Sequence, residues 1–182
     1  MAARAILATI ATFVFFEILP HFPVGVSEVH FILGSTLFLI FGVAPAAFGL
    51  AAGLLIQGLF FTPIDLPQYF MNLTSLLVPL FALSVIAKAV IAPNTAYADL
   101  SYRQALMLST SYQAGVVGWV AFWVFYGQGF GAETFASVGL FGMAYMSVII
   151  LEPVVDLAVL ALAKMMRDTP ASGLMQPRVY SA

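Results

Sequence analysis

The sequence predicts an all-α, polytopic membrane helix bundle, and three observations predict it. Of 182 residues, 63 % are hydrophobic and 8 % charged. With a mean hydropathy of +1.05, the chain is far more apolar than a water-facing surface permits. The apolar residues come in long runs without the strict alternation of a β-barrel, so helices, which satisfy their own backbone in lipid, are the expected spanning elements. The few basic residues are spaced so that one side of a membrane can collect them all. Membrane lipid is therefore the expected surrounding. The net charge of −2 gives no basis for nucleic acid or a charged membrane surface as a partner.

The elements follow in order. Ala5–Leu19, interrupted only by two Thr and Glu17 and stopped by Pro20, is a first helix about 20–25 Å long. A short polar turn follows to Glu28. The next run, Val29–Phe61, would be roughly 50 Å long as one helix, beyond a ~30 Å hydrocarbon core. It folds back at Gly42-Val43-Ala44-Pro45, giving a second helix near 29–42 and a third near 45–61. Two prolines and Asp65 make 62–67 a loop. A fourth helix covers about 68–91, a polar segment fills 92–102, and a fifth helix covers about 103–126. A Gly-rich turn leads into 134–166, where Glu152-Pro153 kinks one long helix.

This gives about six transmembrane helices. With Arg4 in the cytoplasm, Lys88, Arg103, Lys164, Arg167 and Arg178 lie there too, as the positive-inside rule favours. Both termini are then cytoplasmic in a multi-pass protein of the cell (inner) membrane. His21, Glu28, His30, Asp65 and Glu133 lie at or near the outer face. Residues 1–167 form a single transmembrane domain, and 168–182, with two prolines and a glycine, a disordered cytoplasmic tail.

Polar residues are scarce enough to be informative. Both histidines of the chain, His21 and His30, flank the turn after the first helix. Neutral imidazole suits Co, Ni, Cu and Zn, although the same pair could simply hydrogen-bond backbone or headgroups at an interface. Glu17, Gln57 and Asn72 fall at a shared depth on three helices, which allows a polar pocket beneath the turn. Gln57 and Asn72 serve equally well as bridges between helices. Glu152 and Asp156 share a helical face; they suit proton relay, ion binding, or contact with a cytoplasmic partner. Gly49 and Gly53 have the spacing that lets helices approach closely.

Absences narrow the function. Without cysteine there are no disulfides and no thiolate metal sites. No phosphate loop is present, so ATP-driven work needs another subunit. Hydrolase signatures are missing too, and nothing marks an enzyme.

The ordered set Phe22-Pro23-Val24, Ser27, His30, Gly34-Ser35, the Gly42–Pro45 hairpin, Leu55-Ile56-Gln57-Gly58-Leu59-Phe60-Phe61 and Asn72 resembles the CbiM/NikM family. These are the substrate-capture membrane components of cobalt and nickel energy-coupling-factor transporters. The similarity is densest from Phe13 to Val78, with a weaker echo at Leu151-Glu152-Pro153. The resemblance implies Co²⁺ or Ni²⁺ as transported substrate, no permanently bound cofactor, and a transmembrane coupling subunit and cytoplasmic ATPases as partners. It implies that His30 binds metal; the residues themselves add His21 as a second candidate and Gln57, Asn72, Glu17 and Glu28 in support.

The chain also departs from the family. The family's other ligands come from an N-terminal Met-His dipeptide, whereas Ala2 follows Met1 here and the first helix corresponds to the family's second. Val26 and Glu28-Val29 replace small residues of the family's turn. One explanation is that this sequence starts at an internal Met, with about one further helix upstream; that would move the N-terminus to the side of His30. The other is that His21 with Glu28 or Glu17 replaces the lost ligands. Two other classes fit the residues: a structural subunit of a membrane complex, and a proton-coupled carrier using Glu152 and Asp156.

Overall fold

A computed structural model describes residues 1–181. Among these the chain forms seven α-helices and one hairpin: α1 (Ala2–Phe13), β1 (Phe22–Val24), β2 (Ser27–Val29), α2 (Gly34–Phe41), α3 (Val43–Phe60), α4 (Tyr69–Val90), α5 (Tyr102–Gln128), α6 (Ala132–Met146) and α7 (Glu152–Met165). Three helical stretches, Val43–Phe60, Pro63–Val90 and Ala132–Met165, are long and apolar enough to cross a membrane. The all-α bundle is as expected.

The first helix does not stop at Phe13. It widens into a π-helical turn, Val14–Ile18, closed by the bond from Leu19 N to the Val14 carbonyl. Leu19 then turns to extended backbone, as the following proline requires.

The polar turn is not irregular. Phe22 pairs with Val29, Pro23 with Glu28 and Val24 with Ser27, antiparallel, around the two-residue loop Gly25-Val26. Gly25 has φ +60°, the conformation that a glycine-first hairpin turn demands. A Cβ there would lie 2.3 Å from the Ser137 carbonyl oxygen, so the turn rests directly on the α6 backbone.

The second helix differs most from expectation. α2 starts at Gly34 rather than near 29 and has 8 residues, about 12 Å of rise, too short to span the hydrocarbon. Hairpin pairing has taken Ser27–Val29, and Gly34 is the first residue that admits the close approach of α5. A Cβ on it would sit 2.1 Å from Cζ of Tyr112. Ile32–Ile40 are all buried, as suits a helix apolar on every side. α2 is enclosed by α1, α3, α4, α5 and α7. Gly42, at φ +88°, makes the expected reversal into α3.

α1 and α3 pack through small residues. Cβ atoms on Gly49 and Gly53 would fall 2.5 Å from Ala8 Cβ and 2.7 Å from Thr12 Cβ. The long last helix is broken, not merely kinked. A 3₁₀ turn, Ser147–Ile150, separates α6 from α7, and Pro153 opens the new helix where its missing N–H costs nothing.

The C-terminal segment, expected to be disordered, is packed in the structure. Gln176 donates from its backbone N to the Ile40 carbonyl at 2.8 Å. Its side-chain amide donates to the carbonyls of Phe38 (2.8 Å) and Leu39 (2.6 Å). Val179 is fully buried. Arg4 reaches the Phe41 carbonyl, Lys164 pairs with Asp99, and Arg178 contacts the Ala92 carbonyl and the face of Tyr97. These contacts gather Arg4, Lys164 and Arg178 at one end of the bundle. The hairpin and His30 lie at the other.

Candidate metal-capture site

Beneath the hairpin lies a cavity of about 160 Å³. It forms because the hairpin supplies Ser27 and Glu28, the strand exit supplies His30, and the 3₁₀ turn Pro63–Gln68 brings Asp65 and Gln68 over the mouth of α3 and α4. Gln57, Asn72 and Ser75 add polar groups from those helices, and Phe16, Ile32, Leu54, Phe141 and Tyr145 complete the apolar wall. Glu28 and Asp65 are the charged groups of the lining, so its field favours a cation.

His30 is the best-defined group in the site. Its side chain is 12 % exposed, and its Nε2 lies 3.2 Å from a Glu28 carboxylate oxygen. Burial, and then the neighbouring His21, push its pKa down to about 4. The ring is therefore neutral at ordinary pH, and the Glu28 contact is a hydrogen bond donated by Nε2–H rather than an ion pair. That tautomer leaves a lone pair on Nδ1, which is buried and has no hydrogen-bond partner. An orphaned buried nitrogen costs roughly 1–3 kcal/mol. A carboxylate on one imidazole nitrogen with the other nitrogen free is the arrangement by which proteins orient metal-binding histidines.

The other sequence-derived residues divide. Gln57, Asn72 and Glu28 line the same cavity as His30. Gln57 also donates to the Thr62 hydroxyl at 2.6 Å. His21 is not in the lining; it stacks on His30, centroids 5.0 Å apart at 25°, with Nδ1 3.3 Å from the Leu19 carbonyl. Glu17 is half-buried on the π-helical turn and is not part of the lining. Gln68 and Ser75 were missed, although both continue the polar pattern of the loop and of the Asn72 helix. Among the described residues, no group of three or more His, Cys, Asp or Glu is placed to hold a metal ion. Met1 lies beside Ala44, Pro45 and Phe48, at the opposite end of α1 from His30.

Glu152 and Asp156, considered as a face for a cytoplasmic partner, are 0 % and 1 % exposed. Helices α2 and α5 cover them, so they form no docking surface.

The fold and site together define a helical membrane protein with a polar, acidic pocket beneath a hairpin and one buried histidine on its wall. The chain's family is more definite: residues 2–169 match the family model CbiM, cobalt uptake substrate-specific transmembrane region, and the chain belongs to that family. It is thus a cobalt-uptake, substrate-specific membrane component. No curated protein and no solved structure matches it.

Proposed function

We propose that this chain captures Co²⁺ or Ni²⁺ at the cavity beneath the hairpin, as the substrate-binding component of an ATP-driven importer that supplies metal for cofactors. The single observation that carries the reading is the neutral His30 ring, held by Glu28, with its Nδ1 buried and unpartnered. An arriving cation supplies the partner that this nitrogen lacks. Gln57 and Asn72 stand on the cavity wall as hydrogen-bonding groups for the waters of a partly dehydrated ion, and Glu28 and Asp65 offset its charge. His21, stacked on His30, restrains the ring and is a reserve ligand. One imidazole makes a weak site, so waters complete the ion's shell.

The chain has no nucleotide-binding loop, and we assign the driving force to partner ATPases acting through a transmembrane coupling subunit. With the basic end in the cytoplasm, the segment 92–102 faces those partners and is our candidate coupling surface. The test is calorimetric titration of the detergent-purified chain with Co²⁺ and with Ni²⁺, beside its His30→Ala variant. Binding lost in the variant supports the assignment; equal binding by both refutes it.

A further inference from the structure

Inside the bundle, apart from the outer pocket, two carboxylates meet with no cation beside them. Glu152 and Asp156 are one turn apart on α7 and fully buried. The Ser35 hydroxyl of α2 lies 3.0 Å from Glu152 Oε1 and 2.7 Å from Asp156 Oδ2. Thr36 donates to Asp156 Oδ1. From α5, Ser109 Oγ and Gln113 Nε2 each lie 2.6 Å from Glu152 Oε2. Gln113 Nε2 also reaches the Ile32 carbonyl at 2.9 Å.

Hydrogens can be counted around this network. Glu152 Oε2 accepts from Ser109 and Gln113, and Asp156 Oδ1 accepts from Thr36. The two remaining oxygens, Glu152 Oε1 and Asp156 Oδ2, both contact Ser35, which owns a single hydroxyl hydrogen. With both carboxyls ionised the network is one hydrogen short. With both protonated, the Ser35 hydrogen has no acceptor left among them. One proton on the pair satisfies every contact: one acid donates to Ser35 Oγ, and Ser35 donates to the other. Adjacent carboxylates sharing a proton is the usual response to like charges held close in a low dielectric.

The surroundings point the same way. The groups facing the pair are Ser35 and Thr36 from α2, Ser109, Tyr112 and Gln113 from α5, and Tyr145 from α6. None is cationic. Lys164, at the far end of α7 itself, is engaged by Asp99, and Arg178, in the C-terminal segment packed against α7, lies over Tyr97, both at the basic end of the bundle. The hydroxyls of Tyr112 and Tyr145 and the Gln113 Oε1 are buried without partners. Tyr112 sets its phenol end against Gly34, next to Ser35, and both tyrosines lie within electrostatic reach of Glu152. Unused O–H groups thus stand ready beside the pair.

We infer that Glu152 and Asp156 form a one-proton binding site inside the bundle, carrying one negative charge and sharing its proton across the Ser35 hydroxyl. The site adjoins the inner wall of the outer cavity, because Tyr145 and Ile32 line that cavity and Gln113 joins Ile32 to Glu152. It does not depend on what the cavity binds.

Infrared spectroscopy of the full chain in detergent tests it, at about pH 7.5, where water-exposed carboxyls are ionised. The expected result is one protonated-acid carbonyl band that shifts in D₂O and is lost entirely in Glu152→Gln and, separately, in Asp156→Asn. Either isostere supplies the missing hydrogen and leaves the other carboxylate ionised. No acid band in the unmodified chain overturns the inference, as does a band that only halves in each variant, which means two protons. Selective ¹³C labelling of aspartate or glutamate gives the count without substitution. The two labelled fractions should sum to one carbonyl per chain, and a sum of zero or two overturns the proposal.

Discussion

Glu28 and His30 project from neighbouring positions of one strand and its exit, with Nε2 of the histidine 3.2 Å from the carboxylate. Backbone pairing fixes Glu28 opposite Pro23, so the carboxylate is presented by a rigid turn, and the imidazole tautomer follows from it.

If this pair orients a metal ligand, Glu28→Gln should weaken Co²⁺ binding by about 10–100-fold, the usual effect of losing such an outer partner. His30→Ala should abolish it. Calorimetry on the purified variants reads both, and an unchanged affinity in Glu28→Gln would detach the carboxylate from the site.

The depressed His30 pKa has a sign that can be checked. In the unfolded chain the ring takes up a proton near its ordinary value of 6.5, whereas in the folded chain it does so only at about 4. Between those values the unfolded state binds more protons, so stability falls as pH drops through this window. The full effect is about 3 kcal/mol at most. Thermal melts in detergent should show wild type losing stability from pH 7 to pH 5 by more than His30→Asn does.

Gly25→Ala should damage capture while leaving the bundle folded. The substitution forces an alanine into left-handed backbone, at a cost of about 1–2 kcal/mol, and drives its Cβ into the Ser137 carbonyl. The hairpin must lift from α6. We expect an unchanged helical circular-dichroism spectrum with weakened Co²⁺ affinity; a wild-type affinity would show that the hairpin does not position His30.

Gly49→Val and Gly53→Val should act on assembly instead. Each new side chain meets Ala8 or Thr12 at less than van der Waals distance, and overpacking of this kind costs about 1–3 kcal/mol. The expected outcome is a lower melting temperature in detergent for both, larger than for Gly118→Val, where a Cβ meets open space.

Much of this was legible in the sequence because its causes are local or periodic. Pro20 and Gly42 announce helix ends through backbone chemistry alone, Pro153 announces a kink at the point where the helix is broken, and Gln57 and Asn72 stand out because lipid tolerates few amides. What was not legible depends on partners distant in the chain. Nothing in Ser27-Glu28-Val29 reveals that it pairs with Phe22–Val24 rather than beginning a helix; the short Gly25-Val26 loop was the available hint. Glu152 and Asp156 looked exposed to a partner because Ser35, Thr36, Ser109 and Gln113, which cover them, lie between 39 and 121 residues away. Gln176 gave no signal at all.

That last residue bears on how the protein is made. The final turn of a helix leaves carbonyls without partners, and at the end of α2 the groups that satisfy Leu39 and Ile40 belong to Gln176, about 140 positions later. A helix translated early and enclosed by its neighbours therefore stays unfinished until Gln176 has left the ribosome. Formation of α2 and completion of its end are then separate events in time, and the second waits on that distant segment.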